Sequence, residues 1–407
     1  MRRYRNNMHL KSGVFAVQFK KMVVGIPREI MPGERRVAAI PDTVAKMIAA
    51  GARVLVESGA GTGAYIDDES YRQQGAEIIK DVRVIYDQAS LIMKVKEPRY
   101  HEQIDRHEAE LLPEDGVIVS FLHPANPDNH ESVKILARRG ITGFTLDGIP
   151  RISRAQQMDA LTSMSTVAGY KSVIYAANHL GRFVPMMPTS FGLINPAQFL
   201  VIGTGVAGLQ AIATAKRLGA KVKTLDIRPE ANEQARSLGA ENIEFDLPLE
   251  MAVGEGGYAR RLPEEWYARE RELLTPHVEQ SDAVILTALI PGEIAPIIVD
   301  EPMVGKMRKG SVIIDIAVDQ GGNCSLTSHG EDISHDGITI SGIMNIPATL
   351  PIDATNMFAQ NAWHFLSYIV KDGTVKTDTN DEIIHSTLVT LNKKIVHHGT
   401  LLAMGMA

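Results

Sequence analysis

A glycine-rich stretch, GTGVAG at residues 203–208, has the G-x-G-x-x-G spacing of loops that bind the diphosphate of a dinucleotide. In such loops the first glycine permits a tight turn, the second lets the backbone approach the diphosphate, and the third lets the next helix pack closely. Here these positions are Gly203, Gly205 and Gly208. Free N–H groups at the start of the following helix favour phosphate. The alternative is a glycine-rich turn that binds no ligand.

An acidic residue, Asp226, stands at the end of the next predicted strand, where a carboxylate can accept hydrogen bonds from an adenosine ribose. It favours NAD over NADP, since a 2′-phosphate would meet a like charge. Arg228 is the competing feature, because an arginine at this position could accept that phosphate. We therefore expect the cofactor-binding residues to include the loop and this strand end: Gly203, Thr204, Gly205, Val206, Ala207, Gly208, Asp226, Ile227 and Arg228.

Alternating apolar runs and helical patterns place this loop in a domain of its own. Strands are predicted at Phe199–Ile202, Ala283–Leu286 and Ser311–Asp315, and a helix at Leu209–Leu218. Strands that alternate with helices imply right-handed crossovers and a mainly parallel sheet. We expect residues 199–345 to form an NAD(H)-binding Rossmann domain.

Residues 22–154 show the same alternation without a glycine fingerprint. Four strands and a helix are predicted there: Met22–Pro27, Val54–Val56, Ser90–Val95, Val117–Leu122 and the helix Pro41–Ala50. Helical patterning returns from about Pro351, so we expect residues 351–407 to pack on this first domain. Residues 155–198 are expected to be a connector that begins with a long helix. The predicted fold class is α/β, with two Rossmann-like domains, mainly parallel sheets and the fingerprint in the second domain.

Composition restricts the possible functions of this 407-residue chain. Its net charge of −6 gives no basis for nucleic-acid binding, and no apolar stretch reaches the length needed to span a bilayer. The single cysteine, Cys324, excludes an intrachain disulfide and fits a reducing cytoplasm. His101-Glu102 and His107-Glu108 lack the H-E-x-x-H spacing and predict a solvated helix, so we expect no metal site. The basic residues 1–21 are expected to be a disordered extension.

Segments along nearly the whole chain resemble one family. Residues 22–400 are similar to the superfamily of alanine dehydrogenases and the NAD(H)-binding component of proton-translocating NAD(P) transhydrogenases. The similarity lies in the fingerprint and in VGIPRE, GERRVA, KVKEP, MSTVAG, TALIPG and KGSVIIDIA. The resemblance implies an NAD(H)-dependent oxidoreductase. It also adds Ala288 and Leu289, within TALIPG, to the cofactor-binding candidates.

Three segments resemble the transhydrogenase component: RISRAQQMD from Arg151, GGYA at 256–259, and GGNC at 321–324. The first implies that Arg151, Gln156 and Asp159 act beside the nicotinamide, with Thr162 as a cofactor contact. Hydride transfer between two nicotinamides needs groups that fix the approach of the rings, and an amide such as Gln156 suits that task. The structural alternative is an ion pair between Arg151 and Asp159 at a helix start.

The GGYA segment ends a candidate mobile loop, Glu250–Tyr258, that carries three glycines. In the transhydrogenase component the corresponding tyrosine folds over bound nucleotide. The resemblance therefore implies that Tyr258 contacts the cofactor.

Four residues resemble the alanine dehydrogenase branch instead. The resemblance implies that Arg36 and Lys96 hold a 2-oxo acid, that His123 polarises its carbonyl, and that Asp319 is a second acid–base residue. An amino-acid dehydrogenase needs such cations and titratable groups. Asn345, in the segment NIP, also resembles this branch and is a cofactor-binding candidate. The alternatives for Lys96 and His123 are a surface ion pair and a structural histidine.

Three functions stay open at this point. The first is the NAD(H)-binding subunit of a transhydrogenase, with NADP(H) bound only on a partner subunit and the membrane helices on other chains. The second is an amino-acid dehydrogenase, and the third is a silent NAD(H)-binding regulatory subunit. The first implies a homo-oligomer, expected to be a dimer, in the cytoplasm and peripheral at the inner membrane through its partners. The second implies a hexamer.

Overall fold

The computed structural model describes residues 18–254, 259–290 and 294–406. The chain divides into two compact units, of which the second is Met164–Leu350. The first unit holds the described residues through Ser163 and those from Pro351 onward. Each unit contains one large and mainly parallel sheet, so the predicted α/β fold class is confirmed.

Short strands and helices alternate along the amino-terminal stretch of the first unit. These elements are β1 (Val23–Ile26), α1 (Pro41–Ala49), β2 (Arg53–Glu57), α2 (Asp68–Arg72), β3 (Glu77–Ile79), α3 (Val82–Gln88), β4 (Leu91–Met93), β5 (Tyr100–His101), β6 (Arg106–His107), α4 (Glu108–Leu111), β7 (Val117–Ser120), α5 (His130–Arg138) and β8 (Thr142–Thr145). Helix α6 (Ala160–His179) follows and crosses the boundary between the units.

The second unit continues the alternation around the fingerprint. Its elements are β9 (Met187–Thr189), β10 (Gly192–Ile194), β11 (Gln198–Ile202), α7 (Val206–Arg217), β12 (Lys221–Leu225), α8 (Pro229–Ser237), β13 (Glu241–Asn242), α9 (Leu249–Ala252), α10 (Glu264–Gln280), β14 (Ala283–Leu286), α11 (Glu301–Val304), β15 (Val312–Asp315), β16 (Asp332–His335) and β17 (Ile338–Ser341).

The carboxyl-terminal segment returns to the first unit. It comprises α12 (Pro351–Ile369), β18 (Val370–Lys371), β19 (Thr374–Val375), α13 (Glu382–Thr387), β20 (Leu388–Leu391), β21 (Lys394–Ile395) and α14 (His398–Ala403). The helical pattern predicted from Pro351 is found in α12. The segment also adds strands, because the apolar residues of β20 pair antiparallel with β8 at the edge of the sheet.

Both sheets have a doubly wound order. The first unit has the order β3-β2-β1-β4-β7-β8-β20-β21, and the second has β13-β12-β11-β14-β15-β17-β16. Strands β1 to β4, β7 and β8 are parallel, as are all strands of the second sheet except its edge strand β16. In each sheet the order reverses beside one central strand, β1 or β11. Ligands of such sheets bind outside the carboxyl ends of the strands at this switch point.

Two predicted boundaries differ from the observed ones. Phe19 is fully buried and stacks on Trp363, and Gln18 donates hydrogen bonds to the carbonyls of Ser367 and Val370. The first unit therefore begins before residue 22, because this apolar side chain fills a place in its core. Residues 1–17, the rest of the expected extension, lie outside the described residues.

The expected connector helix is shorter at both ends. Residues Ser153–Met158 form a 3₁₀ helix, and α6 begins only after Asp159. The side chain of Asp159 accepts hydrogen bonds from the Thr162 backbone N–H at 2.8 Å and from Thr162 Oγ1 at 2.6 Å. A carboxylate that captures free N–H groups marks a helix start.

Candidate functional site

The fingerprint loop has the backbone geometry that its glycines predict. Gly203 has a φ of +85°, in the left-handed region. A Cβ at Gly208 would lie 2.0 Å from the Gly203 carbonyl oxygen, so α7 packs against the loop more closely than any side chain allows. Around Gly205, by contrast, no atom lies within 4 Å of where a Cβ would be. The loop is therefore open at the position where a diphosphate would approach the start of α7.

The carboxylate of Asp226 is almost entirely buried and has four donors. Thr204 donates its backbone N–H to Oδ2 at 2.6 Å. Arg228 donates its backbone N–H and Nε to Oδ1 at 2.8 and 2.9 Å, and its Nη2 to Oδ2 at 2.8 Å. A carboxylate has about four acceptor positions, so these donors fill them. An adenosine ribose must displace one of them to reach Asp226, and Arg228 is the side chain that can move.

Ala288 is held in place by Asn323, a fully buried side chain. The Ala288 N–H donates to Asn323 Oδ1 at 3.0 Å, and Asn323 Nδ2 donates to the Ala288 carbonyl at 2.9 Å. Thr287 Oγ1 donates to the Gly203 carbonyl at 2.8 Å. The end of β14, with Ala288 and Leu289, is therefore fixed against the fingerprint loop.

The remaining candidates of the second unit have different surroundings. Asp319 is exposed in the 3₁₀ turn Ile316–Gln320. Asn345 has a φ of +50° and begins the 3₁₀ turn Ile346–Thr349. Tyr258 and the rest of GGY lie outside the described residues.

In the first unit, His123 and Asp147 form a hydrogen-bonded pair. His123 Nδ1 lies 2.7 Å from Asp147 Oδ1, and the His123 backbone N–H donates to Oδ2 at 2.8 Å. Burial opposes protonation of the imidazole, but the Asp147 carboxylate outweighs it, so the pKa of His123 is raised. Burial likewise acts against the Asp147 charge, yet His123 keeps the pKa of Asp147 lowered. The ring also stacks on Phe121 at 5.5 Å.

The two expected cations differ in their pairing. Arg36 is buried and forks onto Glu34, with Nε to Oε1 at 2.8 Å and Nη2 to Oε2 at 2.6 Å. Its charge is therefore balanced within the chain. Lys96 is half-buried and close enough to His123 for its charge to oppose protonation of the ring. Lys96 and His123 thus share one region, whereas Arg36 is already engaged.

A buried ion cluster holds the backbone of Lys96. Lys94 Nζ lies 2.8 Å from Glu108 Oε1 and 3.5 Å from Glu29 Oε2. Glu29 in turn accepts the backbone N–H groups of Val95 and Lys96 at 2.6 and 3.3 Å. Burial raises the pKa of Glu29 to about 7, although Lys94 lowers it.

The solvated helix predicted around His101 and Glu108 is wrong. Two-residue strands, β5 and β6, form a hairpin there, and His101 is buried. Glu108 is 1% exposed because its carboxylate balances the buried Lys94 and accepts from Tyr86.

The nicotinamide-side candidates lie together along one short segment. Arg151 and Gln156 are exposed, and Gln156 belongs to the 3₁₀ helix before α6. Asp159 and Thr162 bond to each other, so both have a capping role as well as any role at a cofactor. Asn361 on α12 donates to the Gln157 carbonyl at 2.8 Å, which ties this segment to the first unit.

Sequence reasoning missed three of these groups. Asp147 follows a buried strand by two residues, and that position was the signal for it. Asn323 lies in GGNC, whose family resemblance gave it no structural role. The pairing of Arg36 with Glu34 joins neighbours that a sequence alone shows only as alternating charges.

The described ranges contain neither a metal-binding cluster nor a helix that could span a membrane. No group of three or more His, Cys, Asp or Glu side chains there could hold a metal ion. Among the helices of those ranges, none combines the length and apolar character needed to cross a membrane.

Two doubly wound units, one with an intact dinucleotide loop, define a nucleotide-binding α/β protein. Two family models match adjoining regions of the chain: "Alanine dehydrogenase/PNT, N-terminal domain" over residues 25–168, and "Alanine dehydrogenase/PNT, C-terminal domain" over residues 172–398. The chain belongs to this alanine dehydrogenase/PNT family, and the resemblance seen in its sequence is confirmed.

Individual relatives come from both branches. The first portion of the divided alpha subunit of NAD(P) transhydrogenase from Rhodospirillum rubrum is 42% identical over 379 residues, 92% of this chain and 98% of the relative. Alanine dehydrogenase of Bacillus subtilis is 28% identical over 399 residues, 94% of this chain and 95% of the relative. The crystal structure of transhydrogenase from Sinorhizobium meliloti is 35% identical with a TM-score of 0.81, over 92% of this chain and 100% of that one. The transhydrogenase branch is the more similar of the two.

Proposed function

We propose that this chain is the NAD(H)-binding subunit of an NAD(P) transhydrogenase, in which hydride passes directly between NADH on this chain and NADP⁺ on a partner subunit. The observation that carries the proposal is the 42% identity to the Rhodospirillum rubrum subunit along 98% of that subunit's length. Relatives from both branches of the family are oxidoreductases, and this chain is one as well.

The residues of the second unit divide the work of holding NADH. The open face at Gly205 and the start of α7 receive the diphosphate. Asp226 accepts from the adenosine ribose once Arg228 yields a hydrogen bond. The bound nicotinamide supplies the hydride. Such a transfer needs no proton at the reacting carbon, so positioning rather than acid–base chemistry sets its rate.

In the first unit, the proposal gives Gln156 the task of orienting the nicotinamide ring through its amide. Arg151 and Asp159 support that segment, with Asp159 acting through its bond to Thr162. NADP(H) binds only to the partner subunit. The Rhodospirillum rubrum relative is named as one portion of an alpha subunit, which supports an assembly of several chains. We place the protein in the cytoplasm as a homodimer, peripheral at the inner membrane through membrane-spanning partners.

A second function, amino-acid dehydrogenation, is favoured by one observation. The His123–Asp147 pair has the form of an oriented acid–base group, and Lys96 lies near it as a cation for a 2-oxo acid. The pairing of Arg36 with Glu34 counts against this function, because a carboxylate substrate would have to compete with Glu34 for the guanidinium.

Two assays on the purified protein separate these functions. One follows NADH oxidation with pyruvate and ammonia. The other follows it with an NADP-binding partner subunit and an NADP⁺ analogue. We expect activity only in the second assay. Strong NADH oxidation that depends on pyruvate would overturn the transhydrogenase proposal, and tight NADH binding without either activity would indicate a regulatory subunit.

A further inference from the structure

Glu270 is a buried carboxylic acid at the nucleotide-binding edge of the second unit. It lies on α10 and is 3% exposed. Among the residues that the structure describes, none makes a hydrogen bond or ion pair with its carboxyl group. A buried polar group without a partner costs stability unless it serves a purpose or stays neutral.

The position of α10 brings Glu270 to the same edge as Asp226. Leu274 and Val278 follow Glu270 at helical spacing and belong to an apolar cluster that also contains Leu225, the residue before Asp226. Helix α10 leads into β14, which runs parallel to β11 and, through it, to β12. The amino-terminal half of the helix therefore lies toward the carboxyl ends of these strands. Glu270 belongs to that half.

The charges around Glu270 leave its protonation finely balanced. Burial and the nearby Asp226 charge together raise the pKa of Glu270 to about 7, while Arg271 lowers it. Arg271 itself pairs with Glu264, and Arg228 pairs with Asp226. Strand β11, which packs against α10, has no charged residue, and the acids at the start of α11 are Asp300 and Glu301.

We propose that Glu270 is a second selectivity carboxyl of the nucleotide site, one that adds negative charge beside Asp226 when it loses its proton. This inference rests on the proposed binding of NAD(H). The neutral acid leaves Asp226 alone to oppose a 2′-phosphate. The ionised form adds a second like charge in a water-poor environment, where Coulomb interactions are strong. Preference for NADH over NADPH therefore increases as pH rises.

The test measures dissociation constants of NADH and NADPH at pH 6 and pH 8.5. It compares the parent protein with Glu270→Gln and with a matched control, Glu272→Gln, in which an exposed acid of the same helix is neutralised. A 2′-phosphate itself loses a proton near pH 6, and the Glu270→Gln variant reports that contribution alone. At pH 6 this variant should bind both nucleotides like the parent, which also checks its fold.

We expect the NADH preference of the parent and of Glu272→Gln to rise from pH 6 to pH 8.5 by about three- to tenfold more than that of Glu270→Gln. Calorimetry in two buffers should also show proton uptake near pH 7 when the parent binds NADPH, and less in Glu270→Gln. If all three proteins show the same pH dependence, the role of Glu270 is overturned while NAD(H) binding stands. If the parent binds no NADH at either pH, the proposed function fails and this inference falls with it.

Discussion

His123 Nδ1 lies 2.7 Å from Asp147 Oδ1, and the same carboxylate accepts the His123 backbone N–H. The second contact matters because His123 has a φ of +42°, a left-handed conformation uncommon outside glycine. One acid therefore fixes both the backbone and the ring of this histidine. Nδ1 is committed to Asp147, so Nε2 is the ring nitrogen available for proton exchange.

Replacing Asp147 by asparagine should lower the pKa of His123 from above to below that of a free histidine, because burial then acts without the opposing carboxylate. An NMR titration of the ring measures this shift, and the signal of His329, which bonds to the Val318 carbonyl, is the internal control. An unchanged His123 titration in Asp147→Asn would show that the pair is not the cause of the raised pKa.

The same pair makes a pH-dependent contribution to the free energy of unfolding. A raised folded-state pKa stabilises fully below the unfolded value, about 6.5, and the contribution is lost as pH rises through the folded value. We therefore expect Asp147→Asn to be more destabilising at pH 6 than at pH 9 in urea unfolding. The opposite order would contradict the charge on His123.

Two glycines of the fingerprint should respond differently to alanine. Gly208→Ala places a Cβ 2.0 Å from the Gly203 carbonyl oxygen and should lower the free energy of unfolding by ~1–3 kcal/mol, as overpacking does. Gly205→Ala meets no atom within 4 Å, so stability should be kept while NADH binding weakens. Urea unfolding and NADH titration of both variants make the comparison. Normal NADH binding by Gly205→Ala would place the diphosphate elsewhere.

Asp226 and Arg228 should influence nucleotide choice in opposite ways. The parent should prefer NADH over NADPH by ~1–3 kcal/mol, the scale of a charge-assisted hydrogen bond. Asp226→Ala should weaken NADH binding and leave the fold intact, whereas Arg228→Gln should strengthen the preference for NADH by freeing an acceptor position on Asp226. Equal affinity of the parent for the two nucleotides would overturn this assignment.

Local patterns predicted those elements of the fold that local physics determines. The apolar run Ala283–Leu286 is β14 to the residue, and the glycine spacing correctly predicted the turn before α7. A strand such as β20 could not be predicted this way, because it exists only through pairing with β8, more than two hundred residues earlier in the chain. Phe19 was missed for a related reason. Its partner Trp363 lies at the other end of the sequence.

The candidate sites show the same division. A contiguous motif located the cofactor loop, since each glycine has its own steric task. The state of a charged residue depends on what faces it, and sequence did not reveal that Glu34 neutralises Arg36 or that Lys94 pairs with the buried Glu108. Residue identity thus predicted the type of chemistry, while tertiary contacts decide which groups are still available for it.

Gln156 and His123 should distinguish the two candidate enzymes. If hydride moves between two nicotinamides, Gln156→Asn should slow transfer to an NADP⁺ analogue by roughly tenfold or more, because the shorter amide misplaces the ring by ~1.4 kcal/mol of barrier. His123→Ala should leave that rate nearly unchanged, since no proton has to be managed. If the protein is instead an amino-acid dehydrogenase, His123→Ala should reduce reductive amination by about 10²-fold or more, as expected for a missing general acid. Single-turnover rates of both variants in both assays decide, and a transhydrogenation rate that depends on His123 but not on Gln156 would reject the positioning role argued for the amide.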